Sequence, residues 1–260
     1  MKKVYADPYI NRQTGVLKNL LGISDRDKLD VAEAKITGVA MRKLQNNPVQ
    51  GDFDFAHLCK IHEKIFEKIY EWAGTQRVID IEKPERVLAW HSIEYSPCDE
   101  IQRNASMILR DMKKVNWESL LLDQKVVEFS RYMADLWKVH PFREGNTRTT
   151  VTFCCDFAES RGFGIDRDLF KDNSEFVRTA LVAASAKFSD NLGDKSQPEH
   201  LQRIVKDGME MWEKAHHPQD KKNSMEDWKK QITQKRESNN AGKAELPKER
   251  KNVKDHGDRK

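Results

Sequence analysis

The loop 140–148, with the sequence HPFREGNTR, constrains this chain more than any other segment. Apolar residues recur every three or four positions in the stretch before it, 122–136, and in the stretch after it, 151–158, which predicts a helix on each side. Gly145 allows a sharp turn at the start of the second helix, whose first backbone N–H groups have no partner within the helix. Such a helix start binds anions, and phosphate above all.

The side chains of this loop are those that phosphate chemistry uses. His140 accepts a proton near neutral pH, because the ordinary pKa of histidine is about 6.5. Glu144 is a hard oxygen ligand, and Mg²⁺ usually takes one or two carboxylates together with phosphate oxygens. Arg148, one turn into the second helix, can hold phosphate oxygens in a fixed fork. A base, a metal ligand, an anion hole and a cationic clamp together indicate phosphoryl or nucleotidyl transfer.

The same loop resembles the signature of the Fic (filamentation induced by cAMP) family, His-Pro-Phe-x-(Asp/Glu)-Gly-Asn-(Gly/Lys)-Arg-x-x-Arg. Further stretches, 7–22 and 61–74, also resemble members of that family, so the resemblance covers roughly residues 5–205. The residues that match the signature are His140, Pro141, Phe142, Glu144, Gly145, Asn146 and Arg148.

Two positions depart from the signature. Thr147 stands where the family has Gly or Lys, and it places a β-branched side chain where the backbone approaches phosphate. Val151 stands where the family has a second arginine, which resembles a clamp for the far phosphates of a nucleoside triphosphate. Two alternatives therefore stay open, a plain tight turn between helices and a relative that has lost catalysis.

The resemblance implies a protein adenylyltransferase, which moves AMP from Mg·ATP to a hydroxyl side chain of a target protein. His140 would be the general base, and Glu144 would hold Mg²⁺. Two alternatives are a degenerate member that only binds, and a transferase of UMP, GMP, phosphocholine or phosphate. The residues that would bind the ATP phosphates are Gly145, Asn146, Thr147 and Arg148.

The predicted fold class is all-α, a Fic-type helical bundle with one β-hairpin. A capping box at Ser24 and Asp27 predicts a long first helix, and the two β-rich runs 77–81 and 86–90 predict the hairpin. An isolated hairpin is marginally stable in water, so we expect it to have a use. The resemblance implies a flap, at about 77–90, that holds an extended, hydroxyl-bearing segment of the target. The predicted buried face of the first helix is Leu29, Ala32, Ile36 and Val39.

Composition divides the chain into a loop-like arm (1–23), a Fic-type domain (24–212) and a charged tail (213–260) that is flexible or helical. The net charge is +4, and the tail holds 14 Lys or Arg against 9 Asp or Glu. The remainder is close to neutral, which does not favour nucleic-acid binding by the core. We expect no membrane span and no signal peptide, hence a cytoplasmic protein, with delivery into another cell as an option for a toxin or bacterial effector.

Two further patterns concern control and metals. We find no inhibitory motif of the form (Ser/Thr)-x-x-x-Glu-(Gly/Asn), and members of the family without it resemble those restrained by a small antitoxin protein. His57, Cys59 and His62 do not have the spacing of zinc ligands, and we expect them to be partly exposed polar positions. The four cysteines show no disulfide framework, so reduced thiols are expected.

Overall fold

The computed structural model describes residues 7–217, and within them the chain forms eight α-helices joined by turns and short 3₁₀ segments. The all-α class predicted from the sequence is confirmed, since β-pairing in these residues is limited to isolated bridges. The helices are α1 Arg26–Asn46, α2 Phe55–Phe66, α3 Ile101–Lys114, α4 Leu122–Val139, α5 Asn146–Ser160, α6 Arg167–Asp172, α7 Ser174–Ala184 and α8 Glu199–His216.

Helices α4 and α5, which flank the loop 140–148, lie at the centre of the molecule. The periodic apolar residues of α4 are buried from Val126 onward, with Phe129, Met133 and Leu136 fully removed from solvent, whereas Leu122 at the start of the helix is 39% exposed. Helix α4 packs against α3, α5 and α7, and α5 packs against α2. Because α5 is buried on most of its surface, its N-terminus is held at a fixed position relative to the loop.

Helix α1 begins one residue later than the predicted capping box at Ser24 and Asp27, and it buries a different face. The N-cap is Asp25, whose carboxylate accepts a hydrogen bond from the Lys28 N–H at 2.9 Å. The predicted face is wrong at Val39, which is 46% exposed, whereas Glu33 and Thr37 are buried. The pattern of apolar residues missed this face because it is held by polar contacts to α5.

The segment 77–93 reverses direction as predicted, but the strands 77–81 and 86–90 do not form. A single antiparallel bridge joins Pro84 to Ser92, and a 3₁₀ turn spans Arg86–Leu88. Pro84 has no N–H to give to a ladder, and Val78 and Val87 are 64% and 55% exposed. Because neither Val78 nor Val87 is covered by other residues, the backbone ladder gains little. We call the segment 77–96 the flap.

The parts outside the helices are short turns. The arm 7–23 contains one antiparallel bridge, Ile10 to Leu17, and no helix. Of the predicted charged tail 213–260, all but the first residues lie outside those that the structure describes. No helix in the region 7–217 combines the length and the apolar character that crossing a membrane requires. The free cysteines Cys154 and Cys155 are buried in α5.

Candidate active site

The loop 140–148 is closed by two residues in the left-handed conformation. His140 caps α4 with φ 51°, and Gly145 caps α5 with φ 82°. A Cβ added at Gly145 would lie 2.2 Å from Cζ of Phe66, so only glycine fits. The first hydrogen bond of α5 joins the Thr149 N–H to the Gly145 carbonyl at 3.1 Å, which leaves the N–H groups of 146–148 without an intrahelical acceptor. The helix start predicted from the sequence is therefore present, with free N–H groups of the kind that bind anions.

The side chain of Asn146 makes two hydrogen bonds within the loop, both to the backbone of Phe142. Its Oδ1 accepts from the Phe142 N–H at 2.9 Å, and its Nδ2 donates to the Phe142 carbonyl at 2.7 Å. Asn146 and Phe142 are both buried. The amide thus fixes the shape of the loop through one accepted and one donated hydrogen bond.

The imidazole ring of His140 is buried, and its two nitrogens make no hydrogen bond within the described residues. The side chain is 3% exposed, and neither ring nitrogen has a hydrogen-bond partner among the described residues. The ring lies against Tyr95, with centroids 4.0 Å apart. Burial, followed by the positive charges of Lys83 and Arg77, holds the pKa of His140 well below its usual value. The imidazole is therefore neutral at pH 7 and able to accept a proton.

Arg77 joins the flap to the loop, and sequence reasoning missed it. The side chain is 1% exposed. Its Nε donates to the His140 carbonyl at 2.9 Å, while its backbone N–H donates to the Pro141 carbonyl at 2.8 Å. The two remaining nitrogens donate to carbonyls at either end of the flap, Ile79 at 2.7 Å and Ser96. A guanidinium has five donors, and this one holds three chain segments together.

Glu144 presents an ionised carboxylate at the mouth of the loop. Oε1 accepts from the Gly145 N–H at 2.9 Å, and Oε2 lies 3.5 Å from Nζ of Lys83 on the flap. Burial raises the pKa of Glu144, but Lys83, the Gly145 N–H and Arg148 outweigh it and lower the pKa overall. A single carboxylate suits Mg²⁺, which takes its other ligands from phosphates and water. Residues 7–217 contain no cluster of three or more His, Cys, Asp or Glu that could form an all-protein metal cage.

Arg148 is held by α1. Its Nη2 lies 2.5 Å from Oε1 of Glu33, and its Nη1 donates to Oγ1 of Thr37 at 3.1 Å. The guanidinium also lies 4.8 Å above the Phe66 ring. Glu33 in turn accepts a hydrogen bond from the hydroxyl of Tyr70. Arg148, the predicted phosphate clamp, is therefore held in one orientation, and the carboxylate of Glu33 already neutralises its charge.

His62 supports the loop from α2. Its Nδ1 accepts from the Gly74 N–H at 2.8 Å, so its Nε2 carries the hydrogen and donates to the Glu144 carbonyl at 3.1 Å. The ring stacks on Phe142 with centroids 3.8 Å apart. Burial lowers the pKa of His62 to about 3, so the ring is neutral. The expectation of a partly exposed position is wrong for His62 and for His57, which are both buried.

The two departures from the signature have local explanations. Oγ1 of Thr147 accepts a hydrogen bond from Nε1 of Trp137 at 2.9 Å, which ties the first turn of α5 to α4. Val151 is half-buried and lines a cavity of about 460 Å³ between α1, α5, α6 and α7. Thr147 and Arg148 line the same cavity.

The structure thus brings all the predicted site residues into one loop and one helix turn. Three supports were missed: Glu33, His62 and Arg77. Glu33 and Arg77 gave no signal because each is a single charged residue, one in a predicted amphipathic helix and the other at the start of a predicted strand. For His62, the segment 61–74 that resembles the family was the available signal, because its His and Gly are the pair that the structure joins.

Comparisons with known proteins give a consistent result. The model of the Fic/DOC family matches residues 52–158. The chain is 36% identical over 179 residues to Protein adenylyltransferase VbhT of Bartonella schoenbuchensis, covering 67% of this chain and 35% of that protein. It is 30% identical over 164 residues to Probable protein adenylyltransferase y4lH of Sinorhizobium fredii, covering 62% of this chain and 79% of that protein. This chain therefore spans about a third of VbhT and most of y4lH.

A solved structure has the same fold. The N-terminal Fic domain of a VirB-translocated Bep effector protein from Bartonella quintana superposes with a TM-score of 0.61 at 25% identity, covering 77% of this chain and 90% of that domain. The family model matches the segment that holds α2, the flap, the loop 140–148 and most of α5. By its sequence, its helices and the make-up of this loop, the chain belongs to the Fic/DOC family.

Proposed function

We propose that this protein transfers AMP from ATP to a hydroxyl group of a target protein. The observation that carries the proposal is the pairing of a neutral, unpartnered His140 with a helix start that has free N–H groups, five residues later in the same loop. The relatives VbhT and y4lH are named adenylyltransferases, which supports the same chemistry.

His140 would act as general base. The target oxygen attacks the α-phosphorus, its proton passes to a ring nitrogen of His140, and the bond between the α-phosphorus and the bridging oxygen breaks. Pyrophosphate leaves with the electron pair. The lowered pKa of His140 is compatible with this role, because a bound polyphosphate brings negative charge beside the ring and raises the pKa. General base catalysis contributes typically about 10²–10⁴ in rate.

The start of α5 would hold the phosphates. The N–H groups of 146–148 point out of the helix, and Arg148 is kept in one orientation by Glu33 and Thr37. Glu144 would hold Mg²⁺, which neutralises phosphate charge when it is bound. Lys83, 3.5 Å from Glu144, adds a further positive charge from the flap.

The flap would hold the target beside His140. Val78, Val87 and Trp90 are 64%, 55% and 70% exposed, an unusual density of apolar side chains for a short surface segment. The flap also keeps much of its backbone outside regular pairing, as recognition of an extended segment requires. Arg77 fixes both ends of the flap relative to His140.

Labelled nucleotides test this function. We expect label from α-labelled ATP, and none from γ-labelled ATP, to appear in proteins of a cell lysate treated with the protein. His140→Ala, with helicity unchanged by circular dichroism, should abolish the label. Mass spectrometry of a labelled protein identifies the added group, and finding UMP, GMP, phosphocholine or phosphate would replace AMP in this proposal. Equal labelling by wild type and His140→Ala would contradict it.

Two observations favour a second function, a Fic-type protein that binds without turnover. Glu33 already matches the charge of Arg148, and the side chain of Asn146 is used within the loop. Both facts reduce the groups free to stabilise a transition state. Tight nucleotide binding with no adduct on any lysate protein, across the four nucleoside triphosphates, would favour this alternative.

We further propose a small antitoxin as a restraining partner, acting by filling the cavity between α1, α5, α6 and α7. Val151 offers a partner glutamate no charge from α5, where the signature has an arginine, so we propose that the partner inhibits by occupying the space of the cavity. Growth arrest on expression in bacteria, abolished by His140→Ala, would support an unrestrained toxin. Harmless expression with no small protein co-purifying from the native host would count against it.

We also propose that this protein is an effector delivered into another cell, since the Bep protein of Bartonella quintana is VirB-translocated.

A further inference from the structure

The cavity of about 460 Å³ beside Arg148 has the size of a ligand site and adjoins the start of α5. It extends along α5 from Thr147 in the first turn to Cys155 in the third. Its walls carry the hydroxyls of Thr147 and Thr152, the apolar side chain of Val151, and several cationic side chains. An anion seated on the helix start therefore has room to continue into this cavity.

Most of the positive charges around the cavity are already paired with carboxylates. Arg148 pairs with Glu33 at 2.5 Å, and Lys171 pairs with Asp168 at 3.4 Å. Arg167 lies 2.7 Å from Asp156 and 2.9 Å from Glu159. These pairs leave the cavity with little uncompensated charge, and a polyphosphate that enters it needs a cation that is still free.

Arg42 is that cation. It lies on α1 across the cavity from α5, its side chain is exposed, and it has no hydrogen bond or ion pair to any of the described residues. A guanidinium on a flexible stem can reach into the space beside Val151 and present two parallel donors to a phosphate. Its neighbour Lys43 points to a different groove, between α1 and α2.

The geometry points to Arg42 as the residue that binds the terminal phosphates of the nucleotide, supplying from α1 the charge that Val151 does not supply from α5. This inference rests on the proposed function, because it takes the anion to be a nucleoside triphosphate. It predicts a ligand preference: each phosphate beyond the first adds affinity through Arg42.

Calorimetry with three nucleotides tests the inference on the intact protein. AMP, ADP and a non-hydrolysable ATP analogue are titrated with Mg²⁺ into wild type, Arg42→Ala, Arg42→Lys and Lys43→Ala. We expect Arg42→Ala to weaken binding of the ATP analogue about tenfold or more, the equivalent of one charge-assisted hydrogen bond, and to leave AMP unchanged. Arg42→Lys should recover part of the loss. Lys43→Ala removes the same charge from the same helix and should bind all three nucleotides as wild type does.

Several outcomes would overturn the inference. Arg42→Ala binding the ATP analogue like wild type would do so, and so would a loss equal to that of Lys43→Ala, which would reveal only a general effect of net charge. An equal loss for AMP and the analogue would place Arg42 elsewhere on the ligand. The test is independent of turnover: a protein that binds ATP through Arg42 and transfers no AMP keeps this inference and loses the proposed activity.

Discussion

Nε of Arg77 donates a hydrogen bond of 2.9 Å to the backbone carbonyl of His140, in the residue whose side chain is the proposed base. The same guanidinium binds carbonyls at both ends of the flap. The buried side chain of Arg77 therefore links the flap, which we propose holds the target, to the loop 140–148, which we propose performs the chemistry. A shift of the flap would therefore pull on the backbone carbonyl of His140 through this hydrogen bond. The backbone of His140 already has the left-handed conformation, with φ 51°.

Replacing Arg77 should damage stability and transfer together. Arg77→Ala removes the donor from one buried and two partly buried carbonyls, and we expect a loss of about 3 kcal/mol in the free energy of unfolding. Arg77→Lys keeps the charge but cannot reach three acceptors, so it should unfold less readily than Arg77→Ala and still transfer slowly. Denaturant unfolding and label incorporation measure the two effects. Arg86→Ala, an exposed arginine in the same segment, is the matched control and should change neither.

His62 should make stability depend on pH in acid. Its pKa is about 3 in the folded protein and about 6.5 when unfolded, so the unfolded state binds more protons between these values. The contribution of His62 to the free energy of unfolding is therefore fully present above about pH 6.5 and is lost as the pH drops towards 3. The loss is about 1.4 kcal/mol per pH unit at most from this group. Melting temperatures measured across this range should decline less steeply for His62→Gln than for wild type.

The choice of glutamine separates the two hydrogen bonds of His62. The nitrogen of a glutamine side chain can replace Nε2 and keep the bond to the Glu144 carbonyl, whereas the oxygen of an asparagine can replace Nδ1 and keep the bond from the Gly74 N–H. We expect His62→Gln to retain more transfer activity than His62→Asn. His91→Gln, at an exposed histidine, should show the wild-type slope; a slope unchanged in His62→Gln as well would exclude His62 as its source.

Gly145→Ala should disrupt the loop for two separable reasons. The left-handed backbone costs about 1 kcal/mol for a residue with a Cβ, and the new methyl group would lie 2.2 Å from the Phe66 ring. Gly15→Ala has the same backbone requirement, with φ 71°, and open space around the position. We expect a small loss of stability in Gly15→Ala and a much larger loss, with transfer abolished, in Gly145→Ala. Equal losses in thermal unfolding would mean that contact with Phe66 is unimportant.

The sequence predicted this loop well because its determinants are local. The apolar periodicity of 122–136 and 151–158, the turn at Gly145 and the charged groups between them all lie within a few residues of one another. The position of Phe142 and the start of α5 at Asn146 follow from that pattern. Local preference and tertiary packing agree at this site.

Contacts between distant segments were the part that the sequence could not provide. Glu33 and Arg148 are 115 residues apart, and no periodicity distinguishes a buried carboxylate on α1 from a solvated one. The flap failed as a pair of strands for a similar reason, since β-propensity at Val78 and Val87 meets no surface that would cover them. The burial of His62 depends on stacking with Phe142, 80 residues away in the chain.

Val151→Arg tests whether Arg42 and residue 151 bind the same phosphate. An arginine at this position, one turn along α5 from Arg148, would face the same space as Arg42. In the Arg42→Ala background, we expect Val151→Arg to restore most of the lost affinity for the ATP analogue, because one new cation replaces the one removed. In wild type the gain should be smaller, since two guanidinium groups that serve one phosphate repel each other and do not add. Calorimetry on the four proteins of this cycle gives the coupling directly. If Val151→Arg changes affinity by the same factor in both backgrounds, the two positions act independently, and Arg42 and residue 151 do not share a phosphate.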